Sequence, residues 1–242
     1  MINKYICFFS IGIGICYAAL FEPKITTANK RRLTLYGKGP PVLISTGLYD
    51  AMPLFLYREL VESIKHNFTI VNVEDVISVQ NSDDVSDVVN ALKSDKISII
   101  SHSSFNPSLL SSDKIEKVIL LDPITIPSVS FSGVQRDNIK LDYPTLVIKA
   151  EKLYRGEKTL PKIQQPEIGG ANVTHEIYLN VGHPDILDDI WANFAKTIGI
   201  WEMVDDKPVE YKTWRYNYGK NISVVRKRYR KYVSDRIISF LS

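Results

Sequence analysis

The sequence predicts an α/β fold: a mostly parallel sheet with helices on both faces. Two observations carry this. Short apolar, β-branched runs alternate along the chain with amphipathic segments. Several of those runs are apolar throughout, as strands buried on both faces are. The composition agrees, since 242 residues with 45% hydrophobic and 24% charged side chains describe an ordinary globular chain. Wholesale disorder, a multi-span membrane protein and repeat architectures are excluded. The net charge of +3 is too mild to argue for nucleic acid.

The chain opens differently. After one lysine, Tyr5 to Phe21 reads YICFFSIGIGICYAALF without a charge, and Glu22-Pro23-Lys24 ends the run. A basic start before such a run is a secretory signal or a signal-anchor. The expectation is therefore a targeting or anchoring segment over 1–24. Cleavage after Ala18 and retention both stay open, as does a buried helix. The consequence is a secreted, endomembrane or organellar, or membrane-anchored protein. Both cysteines, Cys7 and Cys16, lie in this segment. Its removal would leave no thiol. Sequons at Asn67, Asn172 and Asn221 fit an endomembrane route.

Thr26 to Arg32 is polar and basic and reads as a linker. A domain over 30–204 follows. Its first strand or hairpin begins at Leu33, and Pro41 to Gly47 (PVLISTG) is a buried parallel strand. Pro53 to His66 places Leu56, Leu60 and Ile64 at four-residue steps behind a proline, which predicts a helix. Phe68 to Val73 is a strand. Asp83 to Leu92 has acids in its first turn and Val85, Val88, Val89 and Leu92 on one face, a second helix. Strands follow at Ile97–Ser101, Lys117–Asp122, Pro144–Ala150 and His175–Leu179, then a helix over Pro184–Ile198. Ser128 to Asp142 and Glu151 to Asn172 read as loops after strand ends, where an open α/β sheet takes its ligand.

Beyond 205 the character changes. Trp214 to Ser242 carries eight basic residues against Asp235 alone, with Ile222, Val225, Tyr229, Tyr232, Val233, Ile237 and Phe240 at three- and four-residue steps. This predicts a basic amphipathic extension over 205–242. It packs on the domain with a basic face in water, or lies on an anionic membrane surface.

Three places could carry chemistry. Ile99-Ile100-Ser101-His102-Ser103-Ser104-Phe105 runs a buried strand into a serine turn, like the G-x-S-x-G elbow with Ser101 and Phe105 at its glycine positions. Val118 to Asp122 is a strand ending in an acid, and Gly182-His183-Pro184-Asp185 sets a histidine after the last strand. Ser103, Asp122 and His183 thus follow the order nucleophile, acid, histidine. A serine hydroxyl needs an imidazole to take its proton, and the imidazole needs an acid to fix its tautomer. Asp122 is favoured as the acid, with Glu151 or Glu157 as alternatives. Backbone N–H groups of Ser104 and of Leu48 or Tyr49 are the candidate oxyanion donors. No metal is expected, because no second His or Cys accompanies His183 in its motif.

Gly47-Leu48-Tyr49-Asp50, His102-Ser103, Leu121-Asp122-Pro123 and Gly182-His183-Pro184-Asp185-Ile186-Leu187-Asp188-Asp189 resemble the chlorophyllase-type branch of the α/β-hydrolases over roughly residues 33–200. In that branch the elbow is usually G-H-S-x-G, the following strand ends in L-D-P, and the histidine lies in G-H-x-D-x-L-D-D. The resemblance implies an α/β-hydrolase-like domain, no cofactor, and a serine esterase acting on a small or lipophilic carboxylic ester; the strands and helices leave no space for more than a minimal cap. Covering, if any, falls to the 123–143 and 151–172 loops. The alternative is a catalytically inactive member of the fold that binds a lipid or protein partner at a membrane.

Overall fold

The computed structural model describes residues 24–47, 52–74, 79, 81–104, 107–124, 138–152, 166–190 and 211–242. The apolar segment at 1–23, the candidate oxyanion residues Leu48 and Tyr49, and Phe105 and Glu157 lie outside them.

Among the described residues, eight strands form one sheet in the order β1-β2-β4-β3-β5-β6-β8-β10. They are β1 (Lys24–Thr26), β2 (Arg32–Tyr36), β3 (Pro41–Ser45), β4 (Thr69–Val73), β5 (Ile97–Ser104), β6 (Ile115–Ile124), β8 (Thr145–Lys152) and β10 (Val173–Gly182). β1 pairs antiparallel with β2, and β2 antiparallel with β4; every other pairing is parallel. β7 (Asn138–Lys140) and β9 (Glu167–Gly169) form a separate parallel ribbon. This ribbon ties together the two segments read from sequence as loops, and Ile139 and Ile168 enter the core.

The polar stretch read as a linker is instead the turn of the β1–β2 hairpin. Lys30 N–H donates to the Thr27 carbonyl, Thr27 N–H to that of Arg31, and Lys30 takes φ +63°. Its basic composition reflects exposure of the turn, and buried Thr27 anchors it.

Strand residues alternate between two cores. Ile44, Ile100, Ile119, Leu121 and Ile148 face one side, where Leu60 and Ile64 of α1 (Arg58–Ile64) meet Tyr229, Val233 and Ile237 of α3 (Tyr211–Leu241). Leu43, Ile99, Leu120 and Val147 face the other, under Val85, Val88 and Val89 of α2 (Ser82–Leu92). Both faces are therefore covered, which explains why the strand sequences are apolar throughout. Asn81 caps α2 by accepting from the N–H groups of Asp83 and Asp84 at 3.0 and 3.1 Å.

Two sequence expectations change here. The extension over 205–242 takes one of its two expected placements, packed on the domain, with Tyr229, Val233 and Ile237 buried in the core. Its basic face is also divided. Lys227, Arg228 and Lys231 are exposed, whereas Arg226 and Arg230 are buried in ion pairs. Finally, the helix expected from Pro184 is a 3-10 turn over His183–Ile186, followed by extended Leu187, with helical backbone resuming at Asp189. Asp188 N–H is spent on the Leu56 carbonyl at 2.9 Å, which breaks the helical ladder; residues 191–198 lie outside the described set. Among the described residues no helix is long and apolar enough to cross a membrane.

Candidate active site

The chain leaves β3 to one side to build β4, then returns to the other side for β5. A crevice opens at such a switch point, beyond the carboxyl ends of the strands. Gly47 lies just past the end of β3 and Ser103 near the end of β5. A Cβ on Gly47 would stand 3.3 Å from the Ser103 Cβ and 2.9 Å from the Met52 sulfur. Glycine at 47 is what lets the two strand ends approach.

Ser103 has φ +67° and Asp122 φ +46°, a region that non-glycine residues enter at a cost of order 1–3 kcal/mol. The two are linked by register. His102 pairs with Leu121 and Ser104 with Ile124, so Ser103 alone faces Asp122-Pro123 across a bulge. A bulge bends its strand and re-aims side chains. Here the kinks in β5 and β6 coincide, and both side chains reach the same histidine.

The Ser103 hydroxyl and His183 Nε2 are 2.8 Å apart. His183 Nδ1 hydrogen-bonds to Asp122 Oδ2. A carboxylate only accepts, so the proton belongs on Nδ1 and Nε2 is left to accept from the hydroxyl. The other Asp122 oxygen accepts from the Ala150 N–H at 3.2 Å, which fixes the carboxylate against β8. All three side chains are buried, Asp122 to 1% exposure.

The structure thus brings together Ser103, Asp122 and His183. Glu151 lies on β8, one residue past Ala150, and its side chain is outside the described set. Ser104 is the last residue of β5, and its backbone follows the turn at Ser103. The segment after it is a 3-10 turn over Pro107–Ser111. Ser101, where the elbow pattern has glycine, is buried, and among the described residues its hydroxyl has no hydrogen-bond partner. Among the described residues no group of His, Cys, Asp and Glu could hold a metal ion.

Sequence reasoning missed what surrounds these groups. Tyr57 stands behind the site: its oxygen accepts from the Gly47 N–H at 3.0 Å and bonds to His102 Nδ1 at 2.7 Å. The acids after His183 receive arginines. Asp185 accepts from the Gly182 N–H at 2.8 Å and from Arg226 Nε at 2.6 Å. Arg230 reaches Glu59 at 2.7 Å, the Leu187 carbonyl at 2.8 Å and Asp189 at 3.0 Å. Asp188 accepts from the Glu59 N–H at 3.0 Å, at the start of α1. The histidine segment is therefore clamped between α1 and α3. The available signal was spacing, since Arg226 and Arg230 fall on the same helical face as Tyr229, Val233 and Ile237.

Eight strands in this order, with a strained serine at the end of β5, give the α/β-hydrolase fold. No protein-family model matches the chain, and no curated protein matches it. Solved structures do. The chain is similar to an epoxide hydrolase of the α/β-hydrolase superfamily from hot-environment metagenomes, at 11% identity and TM-score 0.47, over 74% of this chain and 97% of that one. It is similar to a serine hydrolase involved in carbazole degradation, at 14% identity and TM-score 0.47, over 73% and 97%. It is also similar to an α/β fold family hydrolase from Bacillus anthracis, at 12% identity and TM-score 0.44, over 72% and 98%.

Proposed function

We propose that the protein is a serine hydrolase that cleaves carboxylic esters, with Ser103 as nucleophile, His183 as general base and then acid, and Asp122 as the group that orients the imidazole. The observation that carries this is the continuous hydrogen-bonded chain from the Ser103 hydroxyl through His183 to Asp122, with Ser103 held at positive φ.

In this reading His183 Nε2 takes the hydroxyl proton as Ser103 Oγ attacks the ester carbonyl carbon. Asp122 stabilises the imidazolium without itself taking the proton. The tetrahedral oxyanion is bound by the Ser104 N–H and by the Leu48 or Tyr49 N–H. The Gly47 N–H already donates to Tyr57, so it does not serve. His183 then returns its proton to the leaving alcohol, and the acyl group stays on Ser103. Water, deprotonated by the same imidazole, attacks the acyl-enzyme and releases the acid and free serine.

The L-D-P and G-H-x-D-x-L-D-D segments support a small or lipophilic ester as substrate, as in chlorophyllase-type enzymes. The apolar segment at 1–24 supports delivery to, or anchoring at, a membrane where such esters reside.

A fluorophosphonate probe tests the reading. The folded protein is expected to label and to hydrolyse p-nitrophenyl esters, and Ser103→Ala to do neither. Well-folded protein that takes no label favours the inactive, partner-binding alternative.

A further inference from the structure

We propose that His102 is a positioning residue that, with Tyr57, ties the end of β3 at Gly47 to the backbone of His183. The proposal rests on the reading of Ser103 and His183 as nucleophile and base.

The connection is a chain of three hydrogen bonds. Gly47 N–H donates to the Tyr57 oxygen at 3.0 Å, and Tyr57 Oη and His102 Nδ1 are 2.7 Å apart. His102 Nε2 lies 3.3 Å from the carbonyl oxygen of His183. A carbonyl only accepts, so Nε2 carries the proton and Nδ1 accepts from the Tyr57 hydroxyl. Each atom of the chain then has one direction to point in. The His102 ring also stacks on that of His183, with centroids 4.8 Å apart and planes 26° apart. Tyr57 meets the His102 ring edge-on, with centroids 5.5 Å apart.

All of this sits in the interior, since Tyr57 is 1% and His102 4% exposed. Burial keeps His102 well below its ordinary pKa, and a charge on His183 would lower it further, so the ring is neutral as the chain requires. His102 directly precedes Ser103, the residue at the bulge. One imidazole therefore registers three parts of the site: Gly47 ahead of residues 48 and 49, the Ser103 turn by covalent adjacency, and the His183 ring by stacking and by its own carbonyl. Misplacement of a reacting group by about 1 Å costs up to about 100-fold in rate. An apolar residue of similar size at 102 would fill the space and lose both hydrogen bonds.

The test compares His102→Leu, His102→Gln and Tyr57→Phe with Ser103→Ala in the full chain. His102→Leu is expected to lower kcat for p-nitrophenyl ester hydrolysis about 10- to 100-fold with KM unchanged. His102→Gln keeps a side-chain donor and acceptor and should recover most of that loss. Tyr57→Phe, which removes a single oxygen, should fall between them and serves if His102→Leu does not fold. A second readout is independent of turnover: the downfield proton resonance of His183 Nδ1–H against Asp122 should shift in His102→Leu and Tyr57→Phe. If Ser103→Ala is dead while His102→Leu and Tyr57→Phe turn over at the wild-type rate, the positioning role is overturned. If Ser103→Ala keeps activity, the hydrolase reading fails instead. An unshifted resonance in both relay variants then overturns the positioning role on its own.

Discussion

Ser103 and Asp122 are the paired kinks of two neighbouring parallel strands: each has positive φ, and they face one another across the bulge between β5 and β6. The turn at Ser103 and the turn at Asp122 are one backbone defect shared by two strands. Asp122 hydrogen-bonds to His183, and the proposed mechanism assigns it, not Glu151, as the acid. Asp122→Asn is expected to lower kcat by about 10,000-fold, because an amide favours the wrong imidazole tautomer. Glu151→Gln should stay within about twofold. Steady-state kinetics on both variants, with circular dichroism to check folding, decides between the two acids.

The arginines of α3 differ sharply in consequence. Arg226 is buried against Asp185, and removing one partner of such a pair leaves an uncompensated charge. Arg226→Met is expected to cost about 3–5 kcal/mol. Exposed Arg228→Met should change stability by less than about 0.5 kcal/mol. Urea unfolding of the two variants gives the comparison directly, and equal midpoints would show that the clamp contributes nothing.

Acid sensitivity should begin near neutrality. His102 is held neutral by burial, with its folded pKa well below the ordinary 6.5. The unfolded chain then binds more protons than the native one below about pH 6.5, so stability falls as pH drops through that value. In His102→Gln this part of the pH dependence should vanish, leaving a flatter profile between pH 7 and 5. Glu176 acts lower on the scale. Its hydrogen bonds to Arg236 and to Tyr232 hold its carboxyl below the usual carboxylate range. Its stabilisation is present above the unfolded pKa and is lost as pH falls through the folded one. Glu176→Gln should therefore soften the acid transition below about pH 4.5 without touching the window set by His102.

Ser101 offers a substitution in the favourable direction. Its buried hydroxyl has no partner among the described residues, and a lone buried polar group costs free energy that an apolar one does not. Ser101→Ala should be neutral or stabilising by up to about 1 kcal/mol. Thermal denaturation with a fall in Tm of several degrees would refute this.

Much of this was legible in the sequence because it depends on local pattern. Runs such as Val42-Leu43-Ile44 and Val118-Ile119-Leu120-Leu121 are apolar on both faces, and both faces prove to be covered. Ser103, Asp122 and His183 stood out because each follows an apolar run, and parallel strands bring such ends to one edge. What was illegible depends on contacts far apart in the chain. Nothing local to Arg226 says that it meets Asp185, forty-one residues earlier. Pro184 with three following acids looks like a helix start, until Leu56 takes the Asp188 N–H. The hairpin turn at Thr27–Lys30 was missed for a similar reason, since β1 is only three residues long and is defined by its pairing with β2.

The clamp on the histidine segment also sets an order in time. Chains emerge from the ribosome at about 5–20 residues per second, N-terminal end first. β5, β6 and β10, with Ser103, Asp122 and His183, are all exposed before Arg226 and Arg230 exist. Until α3 is made, Asp185 and Asp189 lack their guanidinium partners, and the core face of β10 lacks Tyr229 and Val233. The segment after His183 thus receives its guanidinium clamp only once α3 is made, so a chain cut short before α3 carries Ser103, Asp122 and His183 without that clamp.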